Sequence, residues 1–458
     1  MDVLTALQSD PYSFSKTRKS SLLRRIKNRD CKICVLGLGY VGLPLTLSLV
    51  DAGFCVLGFD TDRMKTKALK AGRATIESIE DAKIAHALQI ELLEVTSELS
   101  DLSLQDVYII CVPTPLSSHR EPDLQFVIAA AEATAQNLSG DQLVILESTT
   151  YPGTTSEIVK PILESSGLVS DLDFFLAYSP EREDPGNAIA SVQTVPKVVG
   201  GETKTAQDLA VALYRQVTTP VPVSSTATAE AVKLAENVFR SVNIALVNEL
   251  KTVFDAMGID TWEVIDAAKT KPFGYMPFYP GPGVGGHCIP VDPQYLSWKA
   301  REFELATDII DAADRINRSM PNYVVSKLAE ELDQRFGHGL CGSHILIVGT
   351  AYKPNISDIR ESPALKLIDC LERRGALVDF HDPLVGEIKR TDLRDGNCKT
   401  LQSVELTESL LNSMNAVVVV TDHSEIAWQS ITDHAKLIID TRDVFSRLAI
   451  RDQKIVKA

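Results

Sequence analysis

The chain has 458 residues, of which 45% are hydrophobic and 23% charged, with a formal net charge of −15. That length predicts two or three domains, and the charge argues against nucleic acid and anionic membranes as partners. No apolar run reaches the roughly 18 residues of a membrane span, no signal peptide opens the chain, and eight scattered cysteines read as reduced cytoplasmic thiols.

Residues 1–30 form a polar leader, basic in its second half through Lys16, Arg18, Lys19, Arg24, Arg25, Lys27 and Arg29. Leu22, Leu23 and Ile26 give it a short apolar face, which predicts a helix capping the first domain rather than a nucleic-acid arm. Ile33–Leu36 is a short apolar run and reads as a buried strand. Gly37-Leu38-Gly39-Tyr40-Val41-Gly42 follows at once, then a helical pattern, a second strand over 54–59, and Asp60. A bare GxGxxG is weak, but this strand–turn–helix context with an acid at the second strand's end is a dinucleotide fingerprint. The turn lets a pyrophosphate approach a helix N-terminus. Asp60 would accept bonds from ribose hydroxyls and repel a 2′-phosphate, favouring NAD over NADP, with Arg63 as a mild counter-signal. Cys31 and Cys34 form a lone CxxC entering a strand, read as core packing.

Three further strands end in polar, proline-punctuated segments: Pro113-Thr114-Pro115, Glu147-Ser148-Thr149-Thr150-Tyr151-Pro152, and Ser179-Pro180-Glu181-Arg182-Glu183-Asp184-Pro185. Ligands of parallel sheets bind outside such carboxyl ends. Each alone reads as an ordinary capped loop; together they read as walls of one site. Residues 227–257 then carry a long helix, with Ala231, Leu234, Val238, Val242, Leu246, Leu250, Val253 and Met257 recurring every three or four positions. Lys233 and Asn237 lie on a different face, extended by Arg240, Ser241 and Asn248, either a solvated stripe or a row of donors. A helix of this length would link two domains and offer a dimer interface.

Gly281-Pro282-Gly283-Val284-Gly285-Gly286-His287-Cys288-Ile289-Pro290-Val291-Asp292 is the most distinctive stretch. Its glycines permit close backbone approach to a ligand, and a thiol presented there is a candidate nucleophile. A second α/β unit follows, with strands at 343–348, 377–380, 416–420 and 437–440 and a helix at 365–371. It has Gly349 but no GxGxxG, so it is expected to hold a nucleotide-bearing ligand other than NAD through Lys353, Arg360 and Arg442.

From about residue 31 to 447 the chain resembles the UDP-glucose/GDP-mannose dehydrogenase family. The resemblance rests on residues 37–44, 111–115, Glu147-Ser148-Thr149, Ser179-Pro180-Glu181, the helix with Lys233 and Asn237, the cysteine loop, and Tyr352-Lys353-Pro354 with Asp358-Ile359-Arg360-Glu361-Ser362. It implies an α/β fold of two Rossmann-like doubly wound domains joined by a long central helix. The expected division is leader 1–30, NAD-binding domain 31–222, central helical domain with the cysteine loop 223–320, and UDP-sugar-binding domain 321–458. UDP-glucose members carry a lysine where Val291 stands. The loop here, with His287, together with 147–153, 180–186 and 271–274, resembles the branch acting on UDP-N-acetylhexosamines.

The resemblance implies oxidation of C6 twice with two NAD⁺, for bacterial surface polysaccharides such as capsule or lipopolysaccharide. UDP-GlcNAc is the expected substrate, UDP-ManNAc the runner-up, and UDP-glucose stands behind both. Implied catalytic residues are Cys288 as nucleophile, Lys233 and Asn237 at the oxyanion, Asp292 with Lys233 on a water, and Glu181 with Thr149 on the hydrolytic water. Cofactor residues are Gly37, Gly39, Tyr40, Val41, Gly42, Asp60, Arg63, Pro113, Thr114 and Thr149. Substrate residues are Glu181, Arg182, Glu183, Lys233, Asn237, Arg240, Tyr279, Gly281, Gly285, Gly286, Lys353, Arg360 and Arg442. His287 is either a tuner of the thiol or structural, no metal is expected, and a homodimer or higher homo-oligomer is. A simpler 3-hydroxyacid-type dehydrogenase would release one NADH per substrate instead of two. A non-catalytic nucleotide-sugar sensor would have lost one of Cys288, Lys233, Asn237 or Asp292.

Overall fold

A computed structural model of the protein describes residues 11–77, 79–182, 192–391 and 398–458. The chain divides into two compact units, Met1–Glu236 with Gln294–Glu304, and Asn237–Pro293 with Leu305–Ala458. The division falls inside the long helix, Thr226–Ala256.

The first unit is built on an eight-stranded sheet: β1 (Lys32–Leu36), β2 (Cys55–Phe59), β3 (Leu93–Thr96), β4 (Val107–Ile110), β5 (Gln142–Leu146), β6 (Phe174–Tyr178), β7 (Lys197–Gly201) and β8 (Pro220–Pro222). Their spatial order is β3-β2-β1-β4-β5-β6-β7-β8. All pairings are parallel except β6 with β7. Strands buried on both faces need continuous apolar runs, which is why Ile33–Leu36 and Leu143–Leu146 read as strands from sequence. The order reverses beside β1, and that switch point places the Gly37–Gly42 turn at the open crevice.

The leader forms the helix Pro11–Asn28. Leu22 and Ile26 are fully buried in the core of this unit. Arg18 pairs with Asp141 and Asp173, Lys19 with Asp208, and Arg25 with Asp106. These basic residues are thus engaged by acids of their own unit. Cys31 and Cys34 are buried beside them, and burial pushes the Cys31 thiol up to about 12, so this CxxC is packing, not redox chemistry.

The second unit carries a parallel sheet of β9 (His344–Val348), β10 (Leu377–His381), β13 (Ala416–Val419), β14 (Ile438–Asp440) and β15 (Ile455–Lys457). Its order is β10-β9-β13-β14-β15. Between β10 and β13 in the chain, β11 (Glu387–Thr391) pairs antiparallel with β12 (Cys398–Gln402). Alternation along β9 sends Ile345 and Ile347 into one core cluster and Leu346 and Val348 into another. Two buried faces from one strand are the period-2 signature of a doubly wound sheet. The helix Asp308–Phe336 packs into the first of these clusters through Val324, Val325, Leu328 and Leu332.

The long helix buries parts of both its apolar and its polar face, with Leu234 fully buried. Glu230, Lys233, Asn237, Ser241, Asn248 and Lys251 are buried, whereas Phe239, Leu246, Val253 and Met257 are 49%, 52%, 40% and 65% exposed. Most of the polar stripe is therefore not solvated, with Arg240 its exposed member. Among the described residues no helix is long and apolar enough to cross a membrane.

Candidate active site

In the first unit the candidate residues gather at the carboxyl ends of β1, β2, β4, β5 and β6. Gly37 has φ +95°, and a Cβ there would stand 2.6 Å from the Cys111 carbonyl oxygen, so only glycine fits. A Cβ on Gly39 would meet nothing within 4 Å, which leaves its backbone open for the approach of a pyrophosphate. Asp60 accepts from Leu38 N (2.9 Å) and Asp62 N (2.9 Å), tying the end of β2 to the glycine turn. The cation beside Asp60 is Lys65, at 2.7 Å. Arg63 instead points outward and pairs with Glu98 at 3.1 Å. Lys65 escaped sequence reasoning because only the fold shows which basic residue of the helix Arg63–Lys70 turns back. These residues fit an NAD adenosine half: an open turn for the pyrophosphate and a carboxylate for the ribose. Tyr40 donates to Glu77 (3.4 Å), Val41 leads into the helix Gly42–Asp51, and Pro113 and Thr114 follow β4. The Thr114 carbonyl accepts from the Tyr295 hydroxyl at 3.0 Å.

Thr149 is half-buried at the end of β5, between two buried neighbours. Ser148 Oγ donates to the Val112 carbonyl at 2.8 Å, binding the β4 and β5 ends together. On the other side Glu230, fully buried on the long helix, accepts from Gly153 N (2.6 Å), Thr155 N (2.8 Å) and Thr155 Oγ1 (2.6 Å). Burial pushes the Glu230 carboxyl up against these donors. One turn later on the same helix, Lys233 Nζ lies 3.2 Å from Glu181 Oε2, and both side chains are buried. Each buried group thus has the other as its partner. Arg182 turns aside, donating to the Pro196 carbonyl and to Glu236, both at 2.6 Å. Glu183 and Asp184 lie outside the described residues.

A third buried group lies below this edge. Lys197 Nζ is 2.8 Å from Glu147 Oε2, and the Tyr214 hydroxyl donates to the other oxygen of the same carboxylate. Burial, and then the Glu147 charge, raises Tyr214 well above its ordinary range. Sequence quoted Glu147 within a motif but had no means of finding Lys197 or Tyr214, which come from a strand and a helix about 50 residues on or more.

In the second unit the cysteine loop leads into the helix Asp292–Arg301. Cys288 is half-buried, and its carbonyl accepts from Val291 N (3.1 Å) and Asp292 N (2.8 Å). That turn ties Cys288 to Asp292. Asn237 Nδ2 donates to Asp292 Oδ2, and Arg240 donates to Asn237 Oδ1. The order Arg240, Asn237, Asp292 fixes which end of the amide points at the carboxylate.

The glycines before Cys288 are cradled. Gly281 N donates to Asn248 Oδ1 (3.0 Å), Asn248 donates to Asn317 (2.9 Å), and Asn317 donates to the Ser241 carbonyl (3.0 Å). A Cβ on Gly281 would lie 2.6 Å from Arg442 Nη1, and one on Gly285 would lie 2.7 Å from Tyr352 Cβ. Gly286 N donates to the Arg360 carbonyl at 2.9 Å. The structure thus brings Gly281, Gly285, Gly286, Arg360 and Arg442 around one loop. Arg360 is held by Asp358 through two nitrogens, at 2.9 and 2.5 Å, and meets His287 Nδ1 at 3.2 Å. A guanidinium can only donate, so His287 Nδ1 is the acceptor. Arg442 donates through Nε to the Val420 carbonyl (2.8 Å), and burial lowers its pKa. Tyr279 is exposed and bonds Asp266 (2.7 Å) and Lys269 (3.1 Å), part of an outer cluster. Lys353 is half-buried on the turn after β9.

Three family models match the chain in order. They are the NAD-binding domain of the UDP-glucose/GDP-mannose dehydrogenase family over residues 31–218, its central domain over 227–319, and its UDP-binding domain over 346–447. The chain is 40% identical over 360 residues to a UDP-N-acetyl-D-glucosamine 6-dehydrogenase of Pseudomonas aeruginosa, covering 78% of this chain and 84% of the relative. It is 36% identical over 420 residues to a UDP-N-acetyl-D-mannosamine dehydrogenase of Pyrococcus horikoshii, covering 90% and 96%. The solved structure of a Pyrococcus horikoshii UDP-D-ManNAc dehydrogenase superposes with a TM-score of 0.83 at 34% identity, covering 93% of this chain and 98% of that one.

Proposed function

The chain belongs to the UDP-glucose/GDP-mannose dehydrogenase family, and from that premise we propose that it is an NAD-dependent 6-dehydrogenase of a UDP-N-acetylhexosamine, UDP-GlcNAc first. The relatives quoted above include both GlcNAc and ManNAc enzymes, so the 2-epimer is the second reading. The observation that carries the chemistry is the Cys288 turn, whose carbonyl opens the Asp292 helix while Asn237 holds the Asp292 carboxylate.

NAD⁺ supplies the acceptor for each electron pair. In the first half-reaction the C6 hydroxyl loses its proton to a water held by Lys233 and Asp292, and Lys233 and Asn237 stabilise the oxygen that gains charge. In the second, the Cys288 thiolate adds to the aldehyde, oxidation gives a thioester, and water positioned by Glu181 and Thr149 releases the acid. The sum is one alcohol, two NAD⁺ and one water giving one carboxylate, two NADH and three protons. Cytoplasmic surface-polysaccharide synthesis is the setting this product fits.

The exposed stripe of Phe239, Leu246 and Val253, spaced seven residues apart, suits the same helix of a second copy. A homodimer is therefore expected. Sedimentation should give two chains per particle, and Leu246→Glu should give one.

The deciding experiment counts NADH per sugar consumed with UDP-GlcNAc, UDP-ManNAc, UDP-GalNAc and UDP-glucose in turn. Two NADH with UDP-GlcNAc supports the reading, and two with UDP-ManNAc alone moves the substrate to its epimer. One NADH per sugar, or full yield from Cys288→Ala, removes the role given to Cys288.

A further inference from the structure

The second unit contains a buried Asp–His pair that the proposed chemistry leaves unused. Asp382 follows β10, the turn Gly349–Asn355 follows β9, and His423 follows β13. These three strands are neighbours in the sheet, so all three segments meet at its carboxyl edge, where parallel sheets bind ligands. The side chains of Asp382 and His423 are both 0% exposed.

Asp382 is a hub. Its Oδ2 accepts from Thr350 N (2.6 Å), Ala351 N (3.1 Å) and His423 Nε2 (3.1 Å), and its Oδ1 from Leu384 N (2.9 Å) and Val385 N (3.0 Å). On the other side of the His423 ring, Nδ1 receives Asn355 N at 3.0 Å. A backbone N–H can only donate, so Nδ1 carries the lone pair and Nε2 the proton. The ring is a neutral spacer with one donor and one acceptor. It links the carboxylate that holds the start of the turn to the amide that closes it.

The turn is also pinned between these ends. Thr421 Oγ1 donates to the Ala351 carbonyl at 2.6 Å, and a Cβ on Gly349 would stand 2.1 Å from the Thr421 carbonyl oxygen. The Asn355 side chain accepts from Ser424 N at 2.9 Å. Within the turn sit Lys353 and Tyr352, and Tyr352 is what Gly285 and Gly286 pack against.

We propose that Asp382 and His423 are positioning residues: they hold the Gly349–Asn355 turn so that Lys353 meets the diphosphate of the nucleotide and Tyr352 supports the cysteine loop. This rests on the UDP-sugar reading above for the ligand, but not on which sugar is oxidised.

The test uses the full chain and UDP alone as probe. His423→Leu removes donor and acceptor; His423→Gln keeps one of each. Calorimetry should find UDP affinity lowered roughly 10- to 100-fold in His423→Leu and restored to within a few-fold in His423→Gln. The KM for NAD⁺ should stay within about twofold. ¹⁵N spectra at neutral pH should show, for the resonance lost in His423→Gln, a proton on Nε2 and none on Nδ1. Unchanged UDP affinity in His423→Leu, a Gln variant as weak as Leu, or equal losses for UDP and NAD⁺ would each overturn the pair's role. Absence of UDP binding in the unaltered protein would instead remove the nucleotide reading, and this inference with it.

Discussion

Replacing Lys197 by Met tests what the buried Lys197–Glu147 pair does for the first unit. The two groups lie 2.8 Å apart, with Glu147 side-chain exposure of 0% and that of Lys197 10%. At an effective dielectric of about 20 their attraction is about 6 kcal/mol, and breaking a buried pair typically costs about 3–5 kcal/mol because the remaining charge is stranded. Tyr214 still donates to Glu147 in the variant, so the expected loss is about 4 kcal/mol. The double variant Lys197→Met/Glu147→Gln removes the stranded charge while keeping an acceptor for Tyr214. It should lose only about 1–2 kcal/mol, the cost of an imperfectly paired amide. The chain has three tryptophans, and Trp298 packs against Tyr151 at a tilt of 39°, ring centroids 4.9 Å apart, in the first unit. Urea unfolding followed by Trp298 fluorescence, with Trp262 and Trp428 changed to Phe, reads this unit. If the double variant is as unstable as the single one, stranded charge is not the cause and the reasoning fails.

Three other outcomes follow from the same geometry. Glu230→Ala orphans the amides of Gly153 and Thr155, at about 1–3 kcal/mol each; hydrogen exchange of a peptide over 150–159 should lose roughly 100-fold protection or more, and unchanged protection refutes the clamp. Gly285→Ala places a Cβ 2.7 Å from Tyr352 Cβ and 2.9 Å from Pro363 Cδ; overpacking of about 1–3 kcal/mol should lower melting temperature and turnover together, and an unperturbed variant would mean the loop is not seated as described. Burial pushes the Asp440 carboxyl up to about 6 despite donors from Arg442 and Phe445. A raised folded pKa means the native state holds this proton more tightly, so stability falls as pH rises from about 4 to 6, by about 3 kcal/mol. Asp440→Asn should flatten that slope, and an unaltered slope assigns it to other groups.

Local order was legible because each level of the chain points the same way. The apolar runs 33–36, 143–146 and 416–419 are strands buried on both faces, and such strands have no need of alternation. The Gly37–Gly42 turn needs glycine for steric reasons written in the chain itself. The strands Leu93–Thr96, Lys197–Gly201, Pro220–Pro222 and Ile455–Lys457 and the paired strands Glu387–Thr391 and Cys398–Gln402 were missed, being brief, glycine-ended or polar enough to read as loop. The long helix was placed within a residue or so, yet its apolar positions Leu246 and Val253 proved exposed while Leu234 and most of its polar stripe are buried. Periodicity reports that a helix has two faces, but not which face meets the core when the core itself holds charges.

What the sequence by itself determined was the order of the main strands and helices, the glycine turns and the residue types able to bind a dinucleotide or attack a carbonyl. What only the tertiary structure decided was pairing. Lys65 rather than Arg63 reaches Asp60, Lys197 and Tyr214 converge on Glu147, Glu230 clamps the loop after Thr149, and His423 spans Asp382 and Asn355. Lys65 and Asp60 are neighbours in the chain and meet by a local turn, whereas the other three share one reason. A buried polar group must find its partner in three dimensions, and sheet topology brings together strand ends that lie far apart along the chain.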